Sequence, residues 1–150
     1  MPIYAHAILA FISCIGFAVL FNVKKEDILV SAVIGGLSWT LVVALDIPQV
    51  SYIFSNMLSA CIVGLASELF AVIKKTPATT FVVIGVIPLV PGFRIYRSML
   101  FFVTGKIENG IAEGIRASFI AVAIAVGIIV STSLARLIKQ QYTHYRHHQK

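Results

Sequence analysis

The sequence predicts an all-α integral membrane protein of about five transmembrane helices, the fourth of them interrupted at Pro88–Gly92. Three observations carry this. Apolar residues make up 59% of the 150 residues, charged residues only 12%, and mean hydropathy is +0.94. A soluble domain is nearer a quarter charged. The apolar residues fall into runs close to the ~20 residues that cross a hydrocarbon core. The fourth run holds two prolines three apart and then a glycine, Pro88-Leu89-Val90-Pro91-Gly92. Each proline removes a backbone donor and clashes with the preceding turn, so no continuous helix passes through.

The first span covers 3–21, carries only His6 as a titratable group, and ends at Asn22-Val23-Lys24-Lys25-Glu26-Asp27. It lacks a positive leader region and a cleavage site, so it is expected to stay in the membrane. The second covers 28–45 and stops at Asp46-Ile47-Pro48. The third covers 52–73, with Glu68 inside it, and stops at Lys74-Lys75-Thr76-Pro77. The fourth covers 81–103 and contains the break. A polar link with Lys106, Glu108 and Glu113 leads to an uncharged fifth span, 117–135. Residues 1–138 thus form a single membrane domain, and 139–150 a basic tail. His144, His147 and His148 in that tail have no carboxylate or cysteine beside them, so a solvated tail is expected there and not a metal site.

Charge sets orientation. Lys24, Lys25, Lys74, Lys75, Arg136, Lys139, Arg146 and Lys150 fall on one side, against Lys106 and Arg116 on the other. Positive residues stay in the cytoplasm, so the N-terminus is expected outside and the C-terminus inside. The net charge of +6 forms no basic stripe with interleaved aromatics, which excludes a nucleic-acid footprint. Cys14 and Cys61 lie within apolar runs, where neither a disulfide framework nor a metal knuckle is expected. No cofactor is expected.

Small residues at four-residue spacing let helices approach closely. They occur at Ala32, Gly36, Thr40 and Ala44, and on two faces of the fifth span: Ala123, Gly127, Ser131 and Ala135, and Ala117, Ala121 and Ala125. Two such faces suggest neighbours on both sides. In the third span Asn56, Ala60, Gly64 and Glu68 share a face. A carboxylate at membrane depth is a proton carrier or a partner for a cation, although Glu68 is near enough to Lys74 and Lys75 to pair with them.

The break concentrates the functional expectation. Counting from Phe81 places Gly92 about 16 Å into a core about 30 Å thick, near the midplane. A half-helix starting at Gly92 aims free N–H groups and a positive dipole end at that level. Arg94 and Arg97 follow on one face. Cations in a first turn need something negative opposite, which a substrate carboxylate supplies, with Glu68 as the resident counter-charge in its absence. Pro88, Pro91, Gly92, Arg94, Arg97, Asn56 and Glu68 are therefore the candidate pathway residues, as in transporters built on discontinuous helices.

The stretch Phe17-Ala18-Val19-Leu20-Phe21-Asn22-Val23 resembles a motif near the start of the smaller half of the threonine/serine exporter family. Pro77 and the run Val86-Ile87-Pro88-Leu89-Val90-Pro91-Gly92, with Tyr96 and Met99 after it, resemble that family's proline–proline–glycine signature. The resemblance covers essentially the whole chain. It implies a multi-pass component of a bacterial inner membrane exporter for serine and threonine or a dicarboxylate such as succinate. It also implies a larger membrane subunit as partner and the proton gradient as energy source, which would give Glu68 a role. Arg94 and Arg97 are not part of the family pattern; they rest on the physical argument alone. The alternative function is a non-transporting scaffold that stabilises a larger partner, since five spans are few for a complete carrier, and a homo-oligomer stays open. An enzyme is not expected, because no nucleophile–base pair or facing His and carboxylate set occurs.

Overall fold

The computed structural model describes residues 2–46 and 50–147, the last helix by its backbone alone at residue 136 and from residue 138 on. Among them are six α-helices and no strand: α1 Ile3–Leu20, α2 Lys25–Ala44, α3 Tyr52–Lys74, α4 Ala78–Val86, α5 Gly92–Val103 and α6 Ile107–His147, with one tight 3-10 turn, Ile87–Leu89, after α4. The predicted histidine tail lies outside the described side chains.

Four helices are long and apolar enough to cross a membrane, and α4 and α5 together, bent by 47° at the break, are long and apolar enough to bring the number to five. Element ends follow local chemistry. Glu26 and Asp27 occupy the first turn of α2, where the helix dipole favours negative charge. The chain leaves α3 through Lys75 at φ 53, and Pro77 starts α4 with a fixed φ and no donor to lose. Gly105, at φ 74, makes the tight corner between α5 and α6.

Glycines set the packing. In a bilayer, lipid is as apolar as leucine, so helices associate where backbones come close. A Cβ on Gly127 would lie 2.5 Å from the Met57 carbonyl oxygen, and one on Gly64 would overlap the Ser131 hydroxyl. Positions on α3 and α6 rise together, so these two helices run parallel. Gly36 meets Phe11 and Gly35 meets Cys14, so α1 and α2 are antiparallel. Gly85 packs between Val63 and Ile34, which wedges α4 between α2 and α3. The core is Ile34, Val42, Val63, Phe81, Leu89 and Ile120, with Phe70 and Trp39 against it.

Two expectations change. The polar link before the fifth span is helix: α6 begins at Ile107 and runs 41 residues, about 60 Å. Its glycines at 110 and 114 face α5, where the Ser98 hydroxyl donates to the Gly110 carbonyl at 2.7 Å, so they pack a hairpin where the sequence suggested a loop. Of the two small-residue faces on this helix, Ala123, Gly127 and Ser131 are buried, whereas on the other Ala117 is buried and Ala121 and Ala125 are exposed. The second face is thus covered at its start alone within the described chain.

Candidate functional site: the broken helix and its arginine cavity

Pro88 and Pro91 stop α4 by leaving carbonyls without donors. The Ile84 oxygen would bond the amide of residue 88, and proline has none. The Cys14 thiol approaches that oxygen at 3.7 Å instead. The next carbonyl, Gly85, accepts from the Ser38 hydroxyl at 3.0 Å, while the Ser59 hydroxyl donates to the Ser38 carbonyl at 3.0 Å. Side chains from α1 and α2 thus reach the last carbonyls of α4, of which Ile84 is the one freed by Pro88, as irregular backbone at membrane depth requires. Val90 bonds back to Ile87 at 3.3 Å, and Gly92 closes a three-residue turn on Val90 at 2.8 Å around Pro91 at φ −76, ψ 45. The amides of Phe93 and Arg94 have no backbone partner among the described residues.

Beyond the turn lies a cavity of about 400 Å³ lined by Trp39, Tyr52, Pro88, Pro91, Arg94 and Arg97 among others. Arg94 is the best-held cation in it. Its Nη1 donates to Glu113 Oε2 at 3.2 Å, and its guanidinium carbon stands 5.2 Å from the Tyr52 ring centroid. Glu113 is buried, its side chain 9% exposed, and also meets Arg116 at 3.5 Å. Arg97 lies over its own helix's rings, 5.8 Å from Phe93 and 5.5 Å from Phe101. Three cations against one carboxylate leave the site positive, so it can bind an anion on a planar two-pronged donor beside free helix amides.

The structure brings together Pro88, Pro91, Arg94 and Arg97, with Gly92 at the turn. It does not bring Glu68 there. Glu68 is sixteen residues beyond Tyr52 on α3, about 24 Å along the axis, and is half-buried without an ion pair among the described residues. Lys74 instead donates to the Glu26 carbonyl at 3.3 Å. The resident counter-charge is Glu113, which a reading of 104–116 as a link overlooked. Asn56 is fully buried beside α6; its Nδ2 donates to the Tyr52 carbonyl at 2.8 Å and its Oδ1 has no partner among the described residues.

Val63, the midpoint of α3, packs on Gly85, so α4 passes mid-bundle seven residues before Gly92. The break sits about 10 Å further along the bundle, level with the Tyr52 end of α3. Nor does Gly92 use its backbone freedom: it lies in helical geometry, and a Cβ there would have nothing within 4 Å. Trp39 and Tyr52 carried no signal in sequence, because aromatic residues near span ends are common in any membrane protein.

The family model for the threonine/serine exporter, ThrE, matches residues 6–134. An uncharacterized protein of Haemophilus influenzae is 27% identical over 130 residues, which cover 79% of this chain and 43% of that protein. The chain thus spans less than half the length of this relative. No solved structure matches. The matched residues contain most of α1, all of α2 to α5, α6 as far as residue 134 and the whole arginine cavity, and the chain belongs to the threonine/serine exporter family.

Proposed function

We propose that this chain is the five-span subunit of a two-chain secondary exporter in a bacterial inner membrane, that its substrates are small carboxylate-bearing metabolites, and that a larger subunit completes the pathway. Serine, threonine and a dicarboxylate such as succinate all carry the required group. The observation that carries the reading is Arg94, held in a cavity between Tyr52 and Glu113 at the mouth of a broken helix. A substrate carboxylate entering there exchanges with Glu113 on the guanidinium and meets the free amides of Phe93 and Arg94. Arg97 releases its ring contacts to add a second cation. Glu113 keeps Arg116 as partner while displaced, so no buried charge is left bare. Pro88 and Pro91 keep the amides free by preventing the helix from closing, and Asn56 holds the Tyr52 turn of α3 in place.

Flux with the larger subunit present tests this. Arg94→Gln is expected to lower export at least about tenfold, the loss of one charge-assisted hydrogen bond of about 1.5–3 kcal/mol, and Arg94→Lys to restore part of it. Glu113→Gln is expected to lower the substrate concentration needed for half-maximal flux, because the competitor is gone. Trp39, the one tryptophan, lines the cavity and reports binding by its emission. Normal flux with Arg94→Gln in an assembled complex would reject the site and favour the scaffold role.

A further inference from the structure

A second cavity, about 360 Å³, lies at the other end of α4, and the remaining family-like stretches converge on it. Phe21, Asn22 and Val23, the end of the phenylalanine–asparagine motif, form one wall; Pro77 and the threonines after it form another. Asn22 takes the left-handed conformation, φ 56, which turns the chain from α1 back toward α2 around the cavity. Between the walls is Asp27, 2% exposed. Thr76 Oγ1 donates to its Oδ2 at 3.0 Å. No cation lies within ion-pairing distance among the described residues, although Lys24 lines the same cavity and Lys25, Lys74 and Lys75 are close in sequence to its walls. The start of α2 gives Asp27 a favourable dipole, but its side chain has one hydroxyl partner and no ion pair among the described residues, and buried carboxylates are usually paired.

We propose that this cavity binds a small primary amine, with Asp27 as counter-ion to the ammonium group and the hydroxyls of Thr76, Thr79 and Thr80 as further acceptors. An ammonium has three donors and no acceptor, and the carboxylate and three hydroxyls supply the matching oxygens. Lys24, at the rim and at the start of α2, adds a contact when the amine also carries a carboxylate. The two cavities thereby differ in sign: the arginine cavity selects the anionic end of a ligand, and the Asp27 cavity the cationic end.

The test does not depend on the arginine cavity, because it reads labelling of Val83→Cys, a cavity position that supplies no acceptor, in the purified chain with Cys61 replaced by alanine. 2-Aminoethanol and L-threonine are expected to slow maleimide labelling about tenfold at about ten times their Kd. 3-Hydroxybutyrate, which lacks the amine, is expected to leave the rate unchanged. Asp27→Asn keeps an acceptor for Thr76 and is expected to abolish protection by 2-aminoethanol while Trp39 emission stays as before. Protection that survives Asp27→Asn, equal protection by 3-hydroxybutyrate, or no protection by either amine overturns the proposal. If Asp27→Asn fails to fold, the amine-against-carboxylate comparison in the Asp27 protein decides alone.

Discussion

Glycines 92 and 127 show how far apart two residues of the same type can be in consequence. Gly127 faces the Met57 carbonyl oxygen and the Ala60 methyl, so a Cβ there would meet atoms 2.5 and 2.9 Å away, one of them backbone. Gly127→Ala is expected to separate α6 from α3 and cost about 1–3 kcal/mol in a reversible unfolding titration in detergent, as overpacking does. Gly92→Ala meets nothing within 4 Å and is expected to leave stability within experimental error of the parent. Equal losses at both positions would show that contact between α3 and α6 is not what Gly127 provides. Gly127 is readable in sequence from its four-residue spacing with Ala123 and Ser131. Gly92 is not, because its place after Pro91 suggests special backbone angles that the turn takes at Pro91 instead. Glu113 escapes notice for the converse reason: glycines at 110 and 114 make a packed helix resemble a link, and only the partner Arg94 gives the carboxylate its role.

At the level of elements, the broken span owes its stability to neighbours. Pro88 takes the donor from the Ile84 carbonyl and the Cys14 thiol approaches that oxygen. Pro88→Ala returns an amide to the site, so Cys14 and residue 88 compete for one acceptor. A double-mutant cycle is expected to show it: Cys14→Ala destabilises the Pro88 protein and does so less in the Pro88→Ala background, with a coupling of about 0.5–1 kcal/mol. Additive losses would mean that the thiol merely fills space beside Gly35. Spans three and four begin within three residues of where hydropathy places them, and the break is where the prolines are. The sixth helix is legible only in its apolar middle, since the polar turns at its start pack on α5 and not on lipid. Which side chains reach the last carbonyls of α4 is not legible, because Ser38 and Cys14 lie 47 and 70 residues from their acceptors.

For the molecule as a whole, α4 with its 3-10 turn separates two cavities of similar size that face opposite ends of the bundle. The lysine-rich turns mark the Asp27 end, and from the positive-inside rule we propose that this end is the cytoplasmic one. Cysteines at Thr79 and Phe93 are accordingly expected to react with a membrane-impermeant maleimide from opposite sides, Thr79→Cys from the cytoplasmic side. Reaction of both from one side would overturn the orientation and place the two cavities on one surface. Composition and span count settle the membrane class without any structure; the pairing of a motif with a cavity needs the fold, because the asparagine turn and the threonine turn are separated by all of α2 and α3.

The serine and thiol contacts at the break bear on how the chain is built. Alone in lipid, α4 would carry a bare carbonyl at Ile84, and the helices whose side chains reach the end of α4 are α1 and α2. These are synthesised first. A chain made from its N-terminus therefore has the receiving surface in place before the proline segment leaves the ribosome, and the first hairpin acts as a template on which the irregular span settles.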